Sequence, residues 1–229
     1  MSQNFFLTRL IEKLESAGIP YMISGSLGSS LHGEPRATND IDLIIAPTSN
    51  QMDTFIKSLN DEYYVSPESV LYALKNHSMF NIIDYKTGWK ADLIIRKNRP
   101  FSVEEFKRRR KGFVIGIEVW VISPEDAILS KLEWAKIGQS ETQFRDALGV
   151  VIIQWQNIDK NYLQKWAKEL HIEEILEKLL KEAEKLPELN SSFDITQDPI
   201  FQMKGYDSDA PPDLSVNIDK YLYGEGQTE

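Results

Sequence analysis

Two aspartates two residues apart stand in an otherwise apolar stretch, Asp40-Ile41-Asp42-Leu43-Ile44-Ile45. Residues at i and i+2 of a strand project to the same face, so both carboxylates point to one side of a sheet. Half-burying two like charges together forces protonation or demands a counter-ion, and a divalent cation is the simplest means of keeping both ionised. A third carboxylate, Asp92, lies in a similar frame, Ala91-Asp92-Leu93-Ile94-Ile95. Three carboxylates on neighbouring strands form the donor set of a two-Mg²⁺ phosphoryl-transfer site, in which one ligand bridges ions about 3.5–4 Å apart. Asp84 offers the same group on the partner strand, but it abuts a turn, whereas Asp92 is flanked by Ala91 and Leu93.

Fifteen residues before Asp40 comes Ile23-Ser24-Gly25-Ser26. A strand running into a glycine and a hydroxyl at the start of a short helix suits an anion, because glycine lets the backbone approach a phosphate while Ser26 and free amides hydrogen-bond it. A tight turn with a hydroxyl cap is the purely structural reading of the same residues. Arg36, in the loop before the aspartates, and Lys131, on a later helix, are candidates for neutralising phosphate charge. For each, a surface role is open as well: Arg36 beside Glu34, Lys131 on a solvated face near Glu133 and Lys136.

These side chains need a scaffold of alternating elements. Phe6, Leu10, Ile11 and Leu14 recur at helical spacing and Gly18 ends the pattern. The strands expected next are 20–24, 41–45 and 63–65, with helices over 49–60 and from Ser66-Pro67. A hairpin spans 80–95, a helix carries the basic run Lys107 to Lys111, and Phe113 to Ile122 reads as one further strand. From Ser123-Pro124-Glu125-Asp126, a capped start, the period becomes helical, with helices at 123–136, 141–155, 159–170 and 172–186. The expectation is an α+β fold: a mixed sheet flanked by helices over 1–122, a small helical domain over 123–187, and an acidic, weakly structured tail over 188–229. The last 25 residues hold six acidic groups and one lysine.

Composition narrows the chemistry further. The 229 residues contain 26 Lys and Arg against 35 Asp and Glu, a net charge of −9, so any polynucleotide contact is local, with 107–111 the dense basic patch. No cysteine is present, which excludes disulfides, thiol catalysis and cysteine-bearing zinc sites. His32, His77 and His171 lack metal-pair spacing, leaving carboxylates as the metal ligands. No apolar run approaches the roughly 18–20 residues of a membrane span, and no signal-like start is seen, so a cytoplasmic location is expected.

Gly25-Ser26, thirteen intervening residues, Asp40-Ile41-Asp42 and a later lone Asp92 resemble the nucleotidyltransferase superfamily related to DNA polymerase beta. Arg36-Ala37-Thr38-Asn39-Asp40-Ile41-Asp42-Leu43 and the helix over 123–136 resemble, more narrowly, the bacterial AbiEii-type toxin nucleotidyltransferases. The likeness covers about residues 15 to 150. Lys131-Leu132 is followed by Phe144-Arg145-Asp146, which departs from that group's Arg-X-Lys-Asp string. The resemblance implies that Asp40 and Asp42 hold two Mg²⁺, that Asp92 completes the site and acts on the acceptor proton, and that Gly25 and Ser26 grip a nucleoside triphosphate. It implies transfer of a nucleoside monophosphate, from ATP or another triphosphate, to a hydroxyl of a tRNA, a protein or a small molecule. A toxin role with an antitoxin partner would follow from the narrower likeness; a non-catalytic nucleotide-sensing or protein-binding module of the same fold is the rival.

Overall fold

The computed structural model describes residues 3–33, 38 and 40–185. The acidic tail and Arg36 lie outside these residues. Helix α1 (Gln3–Ser16) leads into β1 (Tyr21–Ile23), the short α2 (Gly25–Ser30) and β2 (Asp40–Ile45). Then come α3 (Ser49–Leu59), β3 (Tyr63–Tyr64), α4 (Pro67–Asn76) and the hairpin β4 (Met79–Asp84) and β5 (Lys90–Ile95). Helix α5 (Pro100–Lys107) precedes a second hairpin, β6 (Arg110–Val114) and β7 (Ile117–Val121), and four helices close the order: α6 (Pro124–Gly138), α7 (Glu141–Gln154), α8 (Lys160–Glu169) and α9 (Glu173–Glu184).

The strands form one mixed seven-stranded sheet in the order β3-β4-β5-β2-β1-β7-β6. Strands β2 and β5 run parallel, as do β1 and β7, and the remaining neighbours are antiparallel. Alternation along β2 explains its place in the middle: Ile41, Leu43 and Ile45 are buried in a core shared with Phe6, Leu10 and Leu14 of α1 and Phe55 of α3. Asp40, Asp42 and Ile44 are left on the opposite face. A second apolar cluster joins Ile128, Leu129 and Leu132 of α6 to α7, α8 and α9, with Phe101 of α5. Helix α6 contributes Ala127 to the first cluster and its next turns to the second, so it ties the sheet to the helices.

Most elements fall where the periodicity places them, but 107–122 does not. The basic run is not a helix face: α5 stops at Lys107, and Arg110 and Lys111 belong to β6. The expected single strand is instead a hairpin, because Ile115 and Gly116 both take positive φ, 48° and 83°, and such a two-residue turn matches the twist of paired strands. Arg108 turns back onto Glu125 and Asp126, 2.7 and 3.2 Å away, with its guanidinium over the Tyr162 ring. Arg109 lies over Phe106 and Trp120. Two of the five charges of the run are therefore engaged within the fold, while Lys107, Arg110 and Lys111 are exposed.

Candidate active site

The parallel pairing of β2 with β5 sets the site. Asp42 stands opposite Asp92 and Asp40 opposite Lys90, all on the face away from the core. Asp42 is half-buried, and its carboxyl is pushed up by burial first, then by the charges of Asp92 and Asp40, with Lys131 and Lys90 opposing. Asp92 is buried and both its oxygens are engaged. Asn81, its register partner on β4, donates to Oδ1 at 3.2 Å, and Lys90 Nζ lies 3.1 Å from Oδ2. The same ammonium is 3.5 Å from Oδ1 of the exposed Asp40.

Gly25 meets this face from α2. Its φ is +60°, and a Cβ there would sit 1.9 Å from Asp42 Oδ2, so a side chain is excluded by space and by backbone. Ser24, the N-cap of α2, donates its amide to the Asp42 carbonyl at 2.9 Å, which fixes the turn against β2. Ser26 follows, and Lys131 Nζ reaches across from α6 to its Oγ at 3.3 Å. Lys131 is buried rather than on a solvated face, paired with Asp146 of α7 at 2.8 Å. Asp84, the other candidate for the third carboxylate, is consumed by its hairpin: it accepts from the Lys86 amide and the Thr87 hydroxyl, and Arg9 lies 3.9 Å away.

Gly25, Ser26, Asp42 and Lys131 thus line one cleft, while Asp40 and Asp92 stand on the same sheet face beside Asp42. The cleft holds about 320 Å³ and runs between the sheet and α6. Its sheet side continues into Ile44 and Ile94, and its helix side into Ser130 and Trp134, a residue that is 61% exposed. Arg99 and Glu133 make a two-pronged pair at the same cleft. Among the described residues, no three His, Cys, Asp or Glu side chains are gathered closely enough to enclose a metal ion. Carboxylate oxygens are nonetheless the donor type that Mg²⁺ takes, and the Asp42 carboxyl is pushed up by burial and then by the charges of two further carboxylates.

Asn81, Lys90, Glu105 and Trp134 also belong to this region, and the sequence motifs do not single them out. Lys90 was readable by parity, because it stands two residues before Asp92 and shares its face. Asn81 needs the β4–β5 register, which no local pattern supplies. Glu105, on α5, is 4% exposed at the cleft and bonded by the Ser130 hydroxyl at 2.7 Å; burial pushes its carboxyl up to about 8.

No family model matches the chain, and no curated protein does. Solved structures do. An antigenic nucleotidyltransferase-like protein from Paracoccidioides brasiliensis superposes with a TM-score of 0.55 at 19% identity, over 81% of this chain and 91% of that one. The fold is that of nucleotidyltransferases. The structure of ANT(2")-Ia in complex with adenylyl-2"-tobramycin is also similar, with a TM-score of 0.51 at 13% identity over 75% of this chain and 98% of that one. Among the described residues no helix is long and apolar enough to cross a membrane.

Proposed function

We propose that the protein is a Mg²⁺-dependent nucleotidyltransferase that moves a nucleoside monophosphate from a nucleoside triphosphate to an acceptor hydroxyl. The observation that carries this reading is the registered pair Asp42 and Asp92 with the side-chain-free Gly25 pressed against it. The missing side chain at Gly25 lets the strand-to-helix turn approach Asp42 closely, so the Gly25-Ser26 backbone and the carboxylates share one cleft face. Asp40, Asp42 and Asp92 would hold Mg²⁺, which when bound neutralises the carboxylates and the developing charge on phosphate. Ser26 would hydrogen-bond the β and γ phosphates, and Lys131, held by Asp146, would present a fixed positive charge to them. The acceptor oxygen bonds to the α-phosphorus as the bond to the bridging oxygen breaks and pyrophosphate leaves. The acceptor proton passes toward Asp92, whose carboxylate is oriented by Asn81.

ANT(2")-Ia is a structure with an adenylylated small molecule by its own description, and a small-molecule acceptor is one of three for this chain, beside a tRNA end and a protein hydroxyl. A toxin role, with an antitoxin as partner, is the narrower form of the proposal. The second reading, a nucleotide-sensing or protein-binding module without turnover, is favoured by one observation: Lys90 already bridges two of the carboxylates. Titration with the four triphosphates, with and without Mg²⁺, tests the site. Binding that requires Mg²⁺ and disappears in the Asp40→Ala, Asp42→Ala double variant supports it. Binding indifferent to both moves the weight to the module.

A further inference from the structure

We propose that Lys90 is a built-in counter-ion that occupies the carboxylate site in the absence of metal and is displaced when a divalent cation enters. The inference rests on the metal reading of Asp40, Asp42 and Asp92 given above and goes beyond it, since it assigns a role to a residue that neither holds metal nor belongs to the motif. Lys90 and Asp92 are two apart on β5, and Lys90 faces Asp40 across the β2–β5 pairing. Its ammonium is therefore held between two carboxylates, 3.1 Å from Asp92 Oδ2 and 3.5 Å from Asp40 Oδ1. A single positive charge there does part of what a divalent ion would do for the same oxygens.

The two sides of Asp92 behave differently. Oδ1 is held by the Asn81 amide, from a neighbouring strand fixed by backbone pairing, and a side-chain amide has no charge for a cation to repel. Oδ2 is held by Lys90, whose side chain is 38% exposed and whose flexible stem can carry the ammonium out to water. An arriving cation thus meets one oxygen that stays anchored and one that is released. Lys90 draws Asp40 and Asp92 toward one positive charge, and in doing so it competes with the metal. Its place is set by strand parity, so no rearrangement of the sheet is required for the exchange.

The test is Mg²⁺ binding itself, measured by calorimetric titration of the intact chain without nucleotide. Lys90→Met should bind Mg²⁺ about threefold to tenfold more tightly than wild type, the scale of removing two partly exposed ion pairs. Lys90→Arg keeps the charge and should stay within about twofold of wild type. Lys97→Met removes an equal charge from an exposed lysine at the same cleft, and controls for the general gain in negative potential; it should change affinity by less than about twofold. Unchanged or weaker Mg²⁺ binding in Lys90→Met, with the variant folded by its thermal transition, overturns the proposal. An equal gain in Lys97→Met also overturns it, since the effect would then be one of overall charge. If neither wild type nor Lys90→Met binds Mg²⁺, the metal reading itself fails. That result is distinct from one in which both bind with the same affinity.

Discussion

Asp42 occupies the space in which a side chain at position 25 would lie. A Cβ on Gly25 would come within 1.9 Å of Asp42 Oδ2, 2.6 Å of its Cγ and 2.8 Å of its Cβ, and the backbone there has φ +60°. Even alanine therefore faces two separate penalties, a left-handed backbone at roughly 1–2 kcal/mol and a clash relieved only by moving the carboxylate. Gly25→Ala is expected to lower the unfolding free energy by about 2 kcal/mol and to weaken Mg²⁺-dependent triphosphate binding about tenfold or more, because the displaced group is Asp42. Denaturant unfolding and nucleotide titration on one preparation check both. A variant with full affinity would show that the Asp42 position is not needed for binding.

The crowding of carboxylates leads to a second expectation. Burial and the neighbouring charges of Asp92 and Asp40 disfavour ionised Asp42. Asp42→Asn removes that repulsion, so without metal the variant should melt at a higher temperature than wild type. With Mg²⁺ the order should reverse, since wild type gains stability from an ion that the variant no longer holds. Transfer should fall more than about 100-fold, beyond the loss typical of a group that merely supports a ligand. Thermal scans with and without Mg²⁺ read this directly, and parallel behaviour of the two proteins would count against Asp42 as a ligand.

Sequence made the site legible where a local rule governs the side chain. Ile41, Leu43 and Ile45 announce β2 by alternation, which puts Asp40 and Asp42 together on the other face. The Gly25-Ser26 step is readable because a strand ends there. Asn81 is different: its bond to Asp92 depends on which residue of β4 faces which residue of β5, a matter of hairpin register. Local pattern puts the run at 107–111 on a helix, whereas the structure ends α5 at Lys107, because the partners of the run are distant in sequence. Arg108 is held by Glu125, Asp126 and Tyr162, and Arg109 by Trp120. Gly116 inside the alternating stretch is the local sign of the turn that divides it.

Lys131 serves both stability and the proposed chemistry, and the two can be separated. Its side chain is 6% exposed and that of its partner Asp146 is 12% exposed, so Lys131→Met removes an ion pair from a poorly solvated place. The single variant should lose about 3 kcal/mol of stability. Lys131→Met combined with Asp146→Leu removes both charges and should regain most of that loss. Triphosphate affinity should stay low in both, because the positive charge beside Ser26 is absent from each. Recovery of affinity in the double variant would assign Lys131 a packing role alone.

A comparable polar node joins α6 to α8. Asp126 is fully buried and accepts from Ser123 at 2.6 Å, Tyr162 at 2.7 Å and Arg108 at 3.2 Å, while Glu125 accepts from Arg108 at 2.7 Å and from the Asp159 amide at 3.2 Å. Arg108 is the cation that compensates both carboxylates. Arg108→Ala should lower stability by about 3 kcal/mol. Burial already pushes the Asp126 carboxyl up, and losing Arg108 pushes it further. A carboxyl with a raised folded pKa loses its stabilising contribution as pH rises through that value, so the deficit of the variant should grow toward alkaline pH. Urea unfolding across pH checks the slope, and a deficit constant with pH would mean that packing rather than charge is lost.

Glu105 gives the clearest pH dependence. Burial raises its carboxyl to about 8, the charges of Asp126 and Glu133 act in the same direction, and the Ser130 hydrogen bond and Arg99 oppose. An unfolded glutamate titrates near about 4.3. Between those values the folded state keeps a proton that the unfolded state has lost, so stability from this group is complete below the lower value and declines until the upper one is passed. Glu105→Gln resembles the protonated form in shape and cannot ionise. Groups elsewhere titrate alike in both proteins, so the difference between the two unfolding free energies isolates Glu105. The variant should gain on wild type as pH rises from about 4.5 to about 8, by a few kcal/mol at most, and the gain should level off above that. Denaturant unfolding of both at closely spaced pH values measures it, and a difference that is flat across the window would show that Glu105 ionises in the folded protein as freely as it does in water.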